Sequence, residues 1–239
     1  MIIYGTHFGG KIEKVDEQWI ESKFILLMVP LIPMNSMFVT AKDGNGRNGF
    51  VISLNGKSVL HGYLRFFTFF ISLILWGFAI FAPREIQMGL PVSVLAGLVS
   101  LLYAWSYFQA KESKGEVYVE RKRLGMIMGL NALPEWLPKN VRVELTENLT
   151  NDVQAAFGNL NFTEIAGRND LTAHQIALVY SCLRYRTARK RVAEKTELEA
   201  LERITFKFDA LIRDNSEANF ESLKNDIQSD IKDDLESVE

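Results

Sequence analysis

Two long apolar segments, Tyr63 to Ala82 and Leu90 to Ala110, flank the short stretch Pro83-Arg84-Glu85-Ile86-Gln87-Met88-Gly89. No charged residue lies between Phe66 and Ala82, and none lies between Leu90 and Ala110. A helix rising ~1.5 Å per residue needs about 20 residues to cross a hydrocarbon core ~30 Å thick, and both segments meet that length. Each is apolar on all sides, without the polar stripe of a helix that lies on a soluble core. The pattern predicts a helical hairpin that spans a membrane at residues 63–82 and 90–110.

The flanks are polar, so a net charge of −2 and a near-neutral mean hydropathy average two unlike kinds of sequence. The expected fold class is an α+β membrane protein. A small β-rich cytoplasmic domain occupies residues 1–60, the transmembrane hairpin residues 61–110, a cytoplasmic helical domain residues 111–215, and an acidic amphipathic tail residues 216–239. The first apolar segment starts far into the chain, which is unlike a cleavable signal peptide. Cys182 is the single cysteine, so neither an intramolecular disulfide nor a multi-cysteine zinc cluster can form.

Orientation follows from Lys and Arg in the short flanks. Arg47, Lys57 and Arg65 precede the hairpin, and Lys111, Lys114, Arg121, Lys122 and Arg123 follow it, whereas the connecting stretch holds only Arg84. Both termini are expected on the cytoplasmic side, of an inner membrane if the chain is bacterial. On that side the sequons Asn148-Leu149-Thr150 and Asn161-Phe162-Thr163 are chance matches.

Before the hairpin, glycine and asparagine punctuate short extended runs: Gly9-Gly10, Asp43-Gly44-Asn45-Gly46, Asn48-Gly49 and Asn55-Gly56. Phe24 to Val29 reads as a buried strand and Phe50 to Leu54 as a later one. Pro30 and Pro33 each remove a backbone donor, so Pro30-Leu31-Ile32-Pro33 is expected as an extended edge or connection. The apolar excess from Phe24 to Met34 suits packing within this domain or contact with lipid headgroups. The run Phe24 to Phe38, with its Pro-Leu-Ile-Pro ahead of paired membrane helices, resembles a group of uncharacterised bacterial two-span membrane proteins with a small N-terminal β segment. Leu133-Pro134-Glu135-Trp136-Leu137-Pro138 adds to the likeness, which covers roughly the first two thirds of the chain. It implies an architecture and no activity.

Lipid competes with protein for apolar side chains, so helices in a bilayer associate through small residues. Ser93, Ala96, Gly97, Ser100 and Ala104 supply such a face in the second segment, with Gly77 as a contact in the first. Trp76, Tyr103, Trp105 and Tyr107 include candidate interfacial anchors. No ionisable residue lies deep in the hairpin, so transport requires an oligomer lined by Ser72, Ser93 and Ser100.

After the hairpin, residues 115–130 read as a helix along the membrane surface, ended by Gly129 and the following prolines. A second helix is expected from Lys139 to Phe157, stopped by Gly158, and the longest from about Asp170, with a break near residues 194–196. Leu198, Leu201, Ile204, Phe208 and Leu211 form an apolar stripe that suits a helical hairpin, a coiled coil, an oligomer seam or ordinary core packing. Arg184, Arg186, Arg189, Lys190 and Arg191 form a basic cluster that suits anionic lipid, the acidic tail or plain solvent. With few aromatic residues among them, nucleic acid is disfavoured as a partner. Phe220, Leu223, Ile227 and Ile231 give the tail a helical spacing fit for docking on a partner.

His7, His61 and His174 are scattered, with no carboxylate or cysteine at catalytic or metal-ligand spacing. Gly56-Lys57-Ser58 matches the end of a phosphate-binding loop, but Val51 stands where the leading glycine belongs. No catalytic residue, cofactor or metal ligand is therefore assigned. The sequence favours an integral membrane anchor or scaffold whose partners are the bilayer and other proteins or further copies of itself. The alternative is a small oligomeric channel or transporter subunit.

Overall fold

The computed structural model describes residues 4–27, 29–44, 46–81, 89–110, 113, 115–189, 194–212 and 217–236. Strands β1 (Tyr4–Val15), β2 (Gln18–Leu27), β3 (Val29–Asp43) and β4 (Gly46–Ile52) form an antiparallel sheet in the order β1-β2-β3-β4. Eight α-helices follow among the described residues: α1 (Gly56–Phe81), α2 (Gly89–Ala110), α3 (Gly115–Met128), α4 (Lys139–Phe157), α5 (Phe162–Gly167), α6 (Ala173–Arg189), α7 (Lys195–Leu211) and α8 (Glu217–Glu236). The class is α+β. The chain divides into two compact units, Met1–Lys114 and Gly115–Glu239, so the sheet shares one unit with α1 and α2.

Pro30 and Pro33 belong to an interior strand, which a missing donor ordinarily forbids. The register resolves this. They pair with Leu26 and Phe24 of β2, while β4 joins β3 only from Ser36 onward, so this stretch of β3 has a strand partner on one side. The prolines therefore occupy a local edge. Ile12, Ile20, Phe24, Phe38 and Val39 are buried within the sheet unit.

Helix α1 starts earlier than hydropathy alone indicates. Asn55 caps it, its Oδ1 accepting from the Ser58 amide at 3.0 Å, and the first two turns rest on the sheet. Small residues make this approach possible. Gly9 faces Ser22, and Ser22 faces Ser36 across the strands, and a Cβ added to Gly10 or Gly62 would lie 1.9 Å from the Ser58 carbonyl oxygen or 2.6 Å from Phe24 Cζ. Phe24 meets Tyr63 of α1 edge-on with ring centroids 5.3 Å apart.

Helices α1 and α2 are each long and apolar enough to cross a membrane. Only 6% and 11% of their most apolar windows are buried, whereas the core helix of a soluble domain is mostly enclosed. They pack antiparallel, with Ser72 opposite Ser100, and Phe69 opposite Tyr103 at a centroid distance of 5.9 Å. Residues 82–88, including Arg84, lie outside the described residues, as do Lys111 and Lys114.

In the second unit α6 is central. Its residues 176–183 and Tyr185 are buried, and α3, α4, α7 and α8 pack around it. Gly129, at φ +63°, ends α3, and Gly158, at φ +66°, ends α4. The structure corrects three expectations. Helix α3 encloses Arg121 and Lys122, two of the basic residues expected on a membrane surface, together with Leu124 in its own unit. The helix from Ala173 is not the longest, and the chain between it and α7 lies outside the described residues. The tail helix α8 buries Phe220, Leu223 and Ile227, with Phe220 edge-on to Tyr118 of α3 at 6.1 Å. Those three side chains are therefore packed within the same unit.

Candidate functional site at the junction of sheet and hairpin

Within the first unit, polar side chains concentrate where both ends of the apolar hairpin meet the sheet. Ser58 Oγ donates to the Gly10 carbonyl at 2.8 Å and accepts from Ser22 Oγ at 2.9 Å. Ser22 and Ser36 hydroxyls lie 2.7 Å apart, and Ser36 Oγ accepts from the Asn55 amide at 2.8 Å. All three serines are buried, and these mutual bonds satisfy them without water. At the other end of the hairpin, the Ser113 amide donates to the Lys14 carbonyl at 3.1 Å, and its Oγ donates to Glu13 Oε2 at 2.8 Å. Glu13 also forms an ion pair with Lys57 in the first turn of α1.

The same unit holds a cavity of about 480 Å³, a size typical of small-molecule sites, lined from both the sheet and the hairpin. Phe8 and Phe24 wall it from the sheet, and Phe66, Phe69, Tyr103 and Tyr107 from the helices. Arg65 of α1 lines it and is only 8% exposed. Its Nη2 donates to the Ser106 carbonyl at 3.0 Å, and its Cζ sits 4.3 Å from the centre of the Tyr107 ring. No carboxylate pairs with Arg65 among the described residues, and its Nε is buried without a hydrogen-bond partner. Glu21 and Lys11 also line the cavity. The Glu21 carboxylate is matched by Arg47 in an ion pair, and the Lys11 ammonium lies 3.5 Å from the centre of the Trp19 ring.

Sequence reasoning counts Arg65 only as a flanking charge. Its seat between α1 and α2 depends on which α2 residues face it, and that is a property of the pairing, invisible to local pattern. Of the expected seam residues, Ala96 is fully buried, and Ser100 Oγ donates to its carbonyl at 2.8 Å while bonding Ser72 Oγ at 2.6 Å and accepting from Trp76 Nε1 at 3.2 Å. Ser93 and Ala104 are half-buried. A Cβ added at Gly97 or Gly77 meets nothing within 4 Å, so neither glycine marks a close approach.

The basic cluster is not a single patch. Arg184 pairs with Glu120 of α3 and, at 2.8 Å, with Glu135. Arg186 pairs with Glu197 of α7 at 2.8 Å and covers the Phe162 ring, while Arg189 lies 3.8 Å from Glu147 of α4. The step of two residues sends Arg184 and Arg186 to opposite sides of the helix, whereas Arg186 and Arg189, three apart, share a face and line one cavity with Thr146, Glu147 and Thr150. Lys190 and Arg191 lie outside the described residues. The two carboxylates beside Arg184 raise its pKa against the opposing effect of burial, so it stays charged. With Arg121, whose Nε donates to the Asn131 carbonyl at 2.6 Å and whose guanidinium lies 5.0 Å from the Trp136 ring, it straps the Pro-Glu-Trp segment onto α3 and α6.

The stripe on α7 also divides. Ile204 and Phe208 are fully buried, Phe208 against Tyr180 at 5.3 Å, which removes them from any oligomer seam. Leu201 is half-buried, and Leu198 and Leu211 remain exposed, as does Phe206 at 77%. Cys182 is buried beside Thr150, and burial pushes its thiol up to about 11. No cluster of residues able to hold a metal ion occurs among the described residues, and His174 meets Asp230 only through its backbone amide. Comparison with protein-family models, with curated proteins and with solved structures returns no match to this chain.

Proposed function

We propose that this protein is a two-span integral membrane anchor that holds its sheet and its C-terminal helical unit at the cytoplasmic face, where they assemble with other proteins or with further copies of the chain. The observation that carries the reading is the attachment of both hairpin ends to one polar sheet, through Ser58 and Gly10 at the start of α1 and through Ser113, Lys14 and Glu13 after α2. Two apolar rods that leave and return to the same polar body suit a bilayer crossed twice, with both flanks on one side. The surplus of Lys and Arg on those flanks selects the cytoplasmic side.

Phe206, exposed on α7, is the side chain we assign to partner contact in the C-terminal unit. A channel or transporter draws less support. Of the hydroxyls that would line its path, those of Ser72, Ser93 and Ser100, the first and the last are bonded to each other between the two helices.

The test is extraction of the full chain from membranes, followed by cross-linking and mass measurement in mild detergent. Extraction by detergent but not by alkaline carbonate, with cross-linked species above the monomer, is the expected result. A chain that stays dissolved without detergent overturns the anchor, and a lone monomer overturns the assembly role. Ion flux through reconstituted vesicles, abolished by Ser100→Val, would favour the channel instead.

A further inference from the structure

Arg65 poses an electrostatic problem within its own unit. A guanidinium removed from water is costly unless an anion or several hydrogen bonds compensate it, and Arg65 has one carbonyl, one aromatic face and a vacant Nε. The nearby carboxylate, Glu21, is already matched by Arg47. The lining of the cavity beside Arg65 combines the cations Lys11 and Arg65 with apolar side chains that include Phe66 and Phe69, and Phe69 belongs to the exposed apolar surface of α1. Such a space fits a molecule with an anionic head and a hydrocarbon tail.

We propose that this cavity binds one anionic phospholipid, with its phosphate at Arg65 and an acyl chain running past Phe66 and Phe69 along α1. The inference rests on the two-span membrane reading and adds to it a defined lipid site. Arginine supplies charge-assisted bonds to phosphate oxygens, roughly twice as strong as neutral ones, and the lipid phosphate is the counter-ion that the protein itself does not provide. The position suits this chemistry. Arg65 immediately precedes the charge-free run from Phe66, so it falls at the depth of headgroups when α1 crosses a bilayer. Tyr103 and Tyr107, a residue type enriched at that depth, form the facing wall. Zwitterionic lipids offer the same phosphate but bring a choline cation that competes with Arg65 and Lys11.

The experiment uses the full-length chain in mild detergent, exchanged into bilayer nanodiscs containing equal parts dioleoyl phosphatidylglycerol and dioleoyl phosphatidylcholine. Lipid retained on release is measured by native mass spectrometry. The wild-type chain is expected to retain phosphatidylglycerol over phosphatidylcholine by about tenfold, because the choline cation competes with Arg65 for the phosphate and offsets about one charge-assisted bond. Arg65→Gln is expected to abolish that preference. Because Arg65 also joins α1 to α2, a second variant leaves it in place. A Cβ at Gly9 meets only Phe24 and His7 at ordinary contact distances of 3.6 and 3.8 Å, so Gly9→Leu fills the cavity from the sheet side and is expected to lower retention of both lipids.

Equal retention of the two lipids by wild type, a preference undiminished in Arg65→Gln, or lipid retention undiminished in Gly9→Leu overturns the site. Displacement of the retained phosphatidylglycerol by soluble glycerol phosphate as readily as by short-chain phosphatidylglycerol also overturns it, in favour of a free-phosphate site. Vesicle flotation separates this proposal from its premise. A chain that floats without lipid preference loses only the lipid site, whereas a chain that does not float loses the membrane reading and the site with it.

Discussion

The hydroxyl of Ser113 donates to Oε2 of Glu13 across 2.8 Å, joining residues 100 positions apart. Glu13 reaches that point because β1 is irregular there. The register shifts on both sides of Ile12, and Glu13 adopts φ +51°, a left-handed conformation that re-aims its side chain out of the strand pattern. One carboxylate thereby holds Lys57 at the start of α1 and Ser113 after the end of α2.

This clamp predicts an order of effects. Glu13→Ala removes both attachments and is expected to cost about 1–3 kcal/mol, while Ser113→Ala removes one neutral donor and costs about 1 kcal/mol. Thermal unfolding of the full chain in detergent gives the comparison. Equal shifts for the two variants would show that Lys57 adds nothing.

The close approach of α1 to the sheet makes a second prediction. Gly62→Ala forces a methyl group against Phe24, and overpacking of this kind typically costs about 1–3 kcal/mol. Phe24→Leu in the same chain removes the ring that the methyl group meets. The double variant is expected to be more stable than the sum of the single losses, and strict additivity in denaturant titration would contradict the packing.

Cys182 carries the pH prediction. In the unfolded chain its thiol ionises near 9.0, whereas in the fold it keeps its proton to about 11 because burial disfavours the thiolate. The folded state therefore binds more protons over that interval, so the contribution of Cys182 to stability is complete below pH 9.0 and declines as pH rises toward about 11. Cys182→Ala is expected to flatten that part of the stability profile. Alkylation of the wild-type thiol by iodoacetamide under mildly alkaline conditions should await unfolding, and rapid labelling of the native chain would refute the burial.

Phe206→Ser tests partner contact on α7. The side chain is exposed, so the fold should keep its unfolding temperature while cross-linked species decline. Unchanged cross-linking would place the contact elsewhere.

Local chemistry made some of this legible from sequence. Helix α4 runs from Lys139 to Phe157 as expected, because Pro138 before it and Gly158 after it are boundary signals read within a few residues. The short helix α5 escapes periodicity, since six residues make less than two turns. Its signal was Asn161, whose Oδ1 accepts from the Glu164 amide at 2.8 Å and which also heads a glycosylation-like triplet. Gly56-Lys57-Ser58, a fragment of a phosphate-loop pattern, proves to be the first turn of α1. Arg65 was visible as a charge but not as a buried one, and Arg184 as a charge but not as a doubly paired one. Their surroundings come from α2 in one case and from α3 and Glu135 in the other, and no window of local sequence contains both partners.

Helix α1 runs from Gly56 to Phe81, about 39 Å at ~1.5 Å per residue, with no proline and with its first two turns fixed to the strands. A rigid rod mounted without a hinge transmits its tilt. In a bilayer thinner than its apolar length, the rod leans to hide its excess, and the strands swing through the same angle. Under the two-span reading proposed above, a change in membrane thickness would reach the sheet as a rotation.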